Sequence, residues 1–106
     1  MGLLSIFGRQ EKKDLKSLVA EGALIIDVRT PGEFNTGHVV GSKNIPLDAL
    51  AVQVSDLKKL NVTIIVCCAS GMRSGVAASQ LKSVGIEAIN GGSWYSVKIE
   101  AEQECK

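Results

Sequence analysis

The chain has 106 residues, 45% of them hydrophobic, with twelve basic and eleven acidic side chains and a formal net charge of +1. That length suits one domain over residues 1–106 with a small but real core. A near-zero charge without a basic stripe excludes a phosphate backbone as the main partner, so no nucleic acid is expected.

The N-terminus, MGLLSIFGRQEKK, holds a short apolar stretch with no basic residue before it and charges straight after, the wrong flanks for a secretory signal. Ile6 stands where a myristoylation motif at Gly2 needs Ser or Thr. No membrane-spanning run is present, and no membrane partner is expected. Residues 1–9 read as a loose segment or, through Leu3 to Phe7, an edge strand.

Gln10 to Glu21 sets Leu15, Leu18 and Val19 at helical spacing among charges, with Gly22 as the stop. Ala23 to Val28 (ALIIDV) is a continuous apolar run broken by Asp27, as in a strand buried on both faces. A buried Asp there satisfies nearby backbone or an arginine rather than acting as a base. In TPGEF, Thr30 can cap a short helix, Pro31 fits its first position and Glu33 its first turn. Arg29 and Glu33, four apart, are expected to pair across that helix start. GHVVGSKNIP reads as a structured loop leading to a helix over about Leu47 to Leu60.

Val62 to Cys67 is the second buried strand. The next helix carries Ala77, Leu81 and Val84 on one face, with Ser74 as cap and Gly85 as stop. Ile86 to Ile89 is a short strand, Gly91-Gly92 a turn, and Ser93 to Lys106 a final helix. Strands alternating with helices imply an α/β domain, its central, mainly parallel sheet of four or five strands sandwiched by helices.

In such sheets the productive crevice lies past the carboxyl ends of the strands, where Cys68 sits. Gly71 lets successive N–H groups turn inward as an anion nest, and the following helix points its positive end at the same spot. Arg73 adds a fixed rim cation or a support for the loop. These features should lower the Cys68 pKa below the roughly 8.5 of a free thiol. Cys67, one residue earlier on a strand, faces the other way and is expected to be buried and inert.

Three cysteines, two of them adjacent, make no disulfide framework, so reduced thiols in a cytoplasmic protein are expected. Cys67, Cys68, Cys105 and the lone His38 lack the paired spacing of a zinc site, and nothing in the loop calls for a metal or organic cofactor. Cys105 reads as an exposed tail thiol.

The stretches LIIDVRTPGEFNTGHVVGSKNIP, CCASGMR and NGGSW together resemble the single-domain rhodaneses of the thiosulfate sulfurtransferase family. The resemblance implies a three-layer rhodanese-like domain in which Cys68 attacks the outer sulfur of a donor such as thiosulfate or a persulfide. Cys68 then carries that sulfur as a persulfide and passes it to a thiophilic acceptor such as cyanide or a thiol. The backbone of Ala69, Ser70, Gly71, Met72 and Arg73 would cradle the persulfide. Gly37-His38, Asn44-Ile45-Pro46 and Gly91-Gly92 fall on the family's architectural signature, and Trp94 reads as core or pocket wall. Ala69 and Ser70 stand where efficient thiosulfate users often have bulkier or basic residues, so thiosulfate is expected to be a poor stand-in for the true donor.

Two rivals stay open. One is a carrier module delivering sulfur to a partner protein. The other is a phosphatase-like enzyme, whose loop has five residues between cysteine and arginine: counting from Cys68 gives four, counting from Cys67 gives five.

Overall fold

The computed structural model describes residues 14–102. The expected edge strand over Leu3 to Phe7 and the tail thiol Cys105 lie outside these residues.

Helix α1 (Leu15–Ala20) starts where Asp14 accepts a hydrogen bond from the Ser17 N–H, and it buries Leu15. Residues 10–13 of the expected helix lie outside the description. Strand β1 (Leu24–Asp27) follows, then the short helix α2 (Pro31–Asn35). Thr30 and Glu33 form a reciprocal capping box at the start of α2: Thr30 Oγ1 accepts from the Glu33 N–H at 3.2 Å, and Glu33 Oε1 accepts from the Thr30 N–H at 2.9 Å. The loop after α2 contains a strand that the sequence did not announce, β2 (Lys43–Asn44). Its two polar residues carry no alternation to read; its register against Ile26 and Asp27 comes from the neighbouring strand.

A 3₁₀ turn over Leu47–Ala49 leads into α3 (Leu50–Leu60), and β3 (Ile64–Cys68) and α4 (Met72–Ser83) come next. Helix α4 therefore begins two residues earlier than Ser74; its cap is Gly71, in the left-handed region at φ +103°. A side chain at Gly71 would be strained in that conformation, which is what this turn requires of glycine. Of the expected apolar face of α4, Ala77 and Leu81 are buried, joined by Ala78, while Val84 lies past the helix and is 38% exposed.

Strand β4 (Ala88–Ser93) runs through Gly91 and Gly92, where a turn was expected. Pairing passes from Val66↔Asn90 to Cys67↔Gly92, so Gly91 is an extra residue in a bulge. A Cβ on Gly91 would sit 2.8 Å from Val97 Cγ2 and 3.0 Å from Ile65 Cγ2. Glycine there permits the close approach of α5 (Trp94–Glu102), whose first turn is capped by Ser93 Oγ accepting from the Ser96 N–H at 3.1 Å.

Among the described residues the sheet has four parallel strands in the order β2-β1-β3-β4. Every connection is a crossover, as parallel pairing demands. The sheet is covered on both faces. On one side Ile26, Val28, Ile64, Val66 and Cys68 meet Leu50 and Leu57 of α3 and Ala77, Ala78 and Leu81 of α4. On the other, Ile25, Ile65 and Cys67 meet Leu15 of α1 and Val97 of α5, with Trp94 packed alongside. The two cysteines thus fall on opposite faces, as the alternation of a strand requires. No helix among the described residues is long and apolar enough to cross a membrane.

Candidate functional site

At the carboxyl end of β3 the chain leaves the sheet at Cys68 and turns through Ala69, Ser70 and Gly71 into α4. The first N–H groups of any helix lack intrahelical partners, and Gly71 has no side chain to offer them. The Cys68 sulfur takes that role. Gly71 N–H donates to Sγ at 3.0 Å and Ser74 N–H at 3.3 Å. The Cys68 thiol in turn donates to Ser74 Oγ at 3.4 Å. The sulfur thus occupies the N-terminal cap of α4, where dipole and N–H groups both favour negative charge.

Cys68 is fully buried. Burial by itself raises a thiol's pKa, but hydrogen bonding from the Ser74 hydroxyl and from the backbone N–H groups of Ser74, Gly71 and Ser70 outweighs it, and the net direction is down. Cys67 is equally buried yet moves the opposite way. Its pKa is pushed up to about 12, first by burial and then by the Asp27 carboxylate, with Arg29 opposing. The β1–β3 register explains that neighbour, since Asp27 pairs with Cys67 across the sheet.

Asp27 is wholly buried and satisfied by Arg29, which reaches it through Nε at 2.9 Å and Nη2 at 2.7 Å. Arg29 also donates to the Gly37 carbonyl at 2.7 Å and the Glu33 carbonyl at 3.2 Å, and its guanidinium lies 4.8 Å from the centre of the Trp94 ring. This buried arginine therefore ties the end of β1 to α2, the following loop and α5. Asn44 braces the same corner by donating to the carbonyls of Asp27 and Arg29 at 3.0 and 2.9 Å.

The expected side-chain pair between Arg29 and Glu33 does not form. Arg29 is committed to Asp27, and the Glu33 carboxylate takes Arg73 instead, as a two-pronged fork with Nη1–Oε1 at 2.8 Å and Nη2–Oε2 at 3.0 Å. The Arg73 guanidinium beside it, reinforced by the Thr30 N–H, holds the Glu33 carboxyl down at about 2.

Of the loop residues, Gly71 touches the sulfur directly, Met72 is 78% exposed, and Arg73 reaches Glu33 of α2. Ala69 and Ser70 are exposed. Two contributors were not singled out from the sequence. Ser74 was assigned to capping but serves the sulfur through both its N–H and its hydroxyl. Asn90, from the bulged strand β4, accepts the Ser74 hydroxyl proton at 2.6 Å and the Gly92 N–H at 3.0 Å, and donates to the Gly71 carbonyl at 3.2 Å. His38 is exposed and stacked on Phe34 at 3.7 Å, with Nδ1 2.8 Å from the Phe34 carbonyl oxygen. Its described partners are those of a structural residue.

Residues 11–97 match the family model described as "Rhodanese-like domain". The chain is 37% identical over 85 residues to the uncharacterized protein YqhL of Bacillus subtilis, covering 76% of this chain and 67% of that protein. It is 34% identical over 94 residues to the thiosulfate sulfurtransferase GlpE of Pseudoalteromonas translucida, covering 81% of this chain and 89% of the relative. Among solved structures, a rhodanese with anions from E. coli superposes with a TM-score of 0.65 at 31% identity, over 71% of this chain and 91% of that one.

Proposed function

The chain belongs to the rhodanese-like family, a family of sulfurtransferases, and from that premise we propose that it transfers sulfane sulfur through a persulfide on Cys68. The observation that carries this reading is the set of groups converging on one buried sulfur: the Gly71 and Ser74 N–H groups donate to it at 3.0 and 3.3 Å, and its own thiol donates to Ser74 Oγ at 3.4 Å. Such a set shifts the balance from thiol toward thiolate, and the thiolate is the form that attacks sulfur.

In the first half-reaction the Cys68 thiolate supplies the electron pair for a new S–S bond to the outer sulfur of the donor. The bond from that sulfur to the rest of the donor breaks, and the remainder leaves with its electron pair, as sulfite when the donor is thiosulfate. In the second half-reaction the nucleophilic acceptor, cyanide or a thiolate, takes the outer sulfur and regenerates the Cys68 thiolate. The loop N–H groups stabilise the terminal sulfur anion of the intermediate. Two half-reactions through a covalent intermediate lead to ping-pong kinetics.

A phosphatase reading needs the five-residue count from Cys67. That sulfur lies in the β3 ladder against Asp27, with its pKa at about 12, so it lacks both the loop position and the charge state of such a nucleophile.

Intact mass with peptide mapping after brief exposure to thiosulfate or polysulfide tests the proposal. Wild type and Cys67→Ser are expected to gain one sulfur atom on Cys68, and Cys68→Ser none. Sulfur retained and turned over by Cys68→Ser, or no sulfur on Cys68 from either donor, overturns it.

A further inference from the structure

Arg73 is the only charged residue from Ala69 to Leu81, so it is the one cation the loop itself can present to an incoming anion. Both of its outer nitrogens are already occupied by the two oxygens of Glu33, at 2.8 and 3.0 Å. Glu33 is held from its other side as well, because Oε1 also accepts from the Thr30 N–H at 2.9 Å and Thr30 Oγ1 at 3.2 Å. The capping box thus fixes the carboxylate where it meets Arg73, and the pair is a preformed fork. Arg29, the other arginine of this corner, is taken by Asp27 in the same way. Flanking Arg73 in the chain, Met72 is 78% exposed, and Val76, one turn further along α4, is 56% exposed.

Resting on the sulfurtransferase reading, we propose that Glu33 is a specificity-determining residue. By cancelling Arg73 it fits the loop to sulfane-sulfur donors of low charge with an organic group, such as thiosulfonates and organic persulfides, in preference to the thiosulfate dianion. Attack on thiosulfate brings two negative charges up to the Cys68 thiolate and releases sulfite, both charges leaving with it. Attack on a thiosulfonate brings one and releases a sulfinate. In both cases one S–S bond forms at the outer sulfur, its bond to the inner sulfur breaks, and the departing group keeps the electron pair. The donors' partial charges in the loop serve either substrate; only a free guanidinium would favour the extra charge of thiosulfate, and Glu33 removes it.

The test compares kcat/KM for thiosulfate and for methanethiosulfonate, with cyanide as acceptor, in wild type and Glu33→Gln. Glutamine keeps an oxygen for the Thr30 N–H, so the capping box is preserved while the charge is lost. Wild type should favour methanethiosulfonate. Glu33→Gln should raise the thiosulfate-to-thiosulfonate ratio about tenfold at low ionic strength, as expected for one unit charge at a half-exposed rim, and the gain should shrink toward nothing near 1 M salt. A merely structural role for Glu33 would not produce that salt dependence. Arg73→Gln, which leaves Glu33 unopposed, should lower the ratio below wild type. Sulfur loading with an unchanged ratio in Glu33→Gln, or a ratio at or above wild type in Arg73→Gln, overturns this inference alone. Absence of sulfur on Cys68 from both donors overturns the sulfurtransferase reading and this inference with it.

Discussion

Cys67 and Cys68 are adjacent, and both are without solvent exposure, yet the two faces of the sheet at the end of β3 treat them oppositely. On the Cys67 face the sulfur meets apolar side chains and the Asp27 carboxylate, and its pKa climbs to about 12. On the Cys68 face the sulfur completes a helix cap, and the same burial is outweighed by backbone N–H donors and by hydrogen bonding with the Ser74 hydroxyl. Exposure therefore does not separate the two thiols; the polarity of what replaces water does. The Cys67 face, with Asp27, Arg29 and Trp94, holds the fold together, while the Cys68 face surrounds its sulfur with hydrogen-bonding groups.

The strongest way to break that contrast is to attack the structural side. Arg29→Leu leaves the Asp27 carboxylate buried without its guanidinium, and breaking such a pair should cost about 3–5 kcal/mol in urea unfolding. A loss under about 1 kcal/mol would mean that water replaces the arginine and that this face is not sealed.

A second experiment reads the Cys67 thiol through stability at high pH. In the unfolded chain it ionises near 9.0, while in the folded protein it stays protonated to about 12. The folded pKa is raised, so the stability linked to it is complete below pH 9 and is lost as pH climbs from 9 toward 12. The stability difference between wild type and Cys67→Ala should accordingly fall by up to about 1.4 kcal/mol per pH unit across that window. A flat difference would mean that the fold leaves the Cys67 thiol at its unfolded pKa, with no net penalty from burial beside Asp27.

The smallest effect sharpens the Cys68 side. Ser74→Ala removes the hydroxyl that can turn its proton to a Cys68 thiolate and leaves the backbone N–H groups of Ser70, Gly71 and residue 74, so the pH of half-maximal alkylation of Cys68 should rise by about one pH unit, equivalent to about 1.4 kcal/mol. The Ser74 hydroxyl has a single proton, and in the resting thiol form it goes to Asn90 at 2.6 Å. No rise in the alkylation midpoint would mean that the proton stays with Asn90 when the thiolate forms.

Much of this was legible from short-range pattern. The apolar runs around Ile25 and Ile65 read as buried strands, Thr30 as a cap with Glu33 in the first turn, and the one-residue offset of Cys67 and Cys68 as opposite faces, because each depends on neighbours within a turn or a pleat. What escaped depends on distant partners. Strand β2 is two polar residues recruited by the edge of β1, and Gly91-Gly92 reads as a turn because a bulge uses the same residue type. The pairing of Glu33 with Arg73 joins residues forty positions apart, and nothing local at Arg29 reveals that it prefers Asp27, two residues away, over Glu33 at helical spacing. Asn90 carried no signal beyond its position before the glycines. Ser74 was misassigned because a sulfur on the preceding strand, rather than a side chain at the helix start, was the cap.

The all-parallel order of the sheet has a kinetic side. Ile26 pairs with Lys43, Ile64 with Ala88 and Leu24 with Ile64, so no ladder can form by a local hairpin and each must close a long loop first. In the unfolded chain Cys67 and Cys68 are two equivalent thiols on neighbouring residues. Their divergence comes into being only when β3 has partners on both sides and α4 has settled on its end, so the ratio of labelling at the two sulfurs is a built-in clock for the completion of folding.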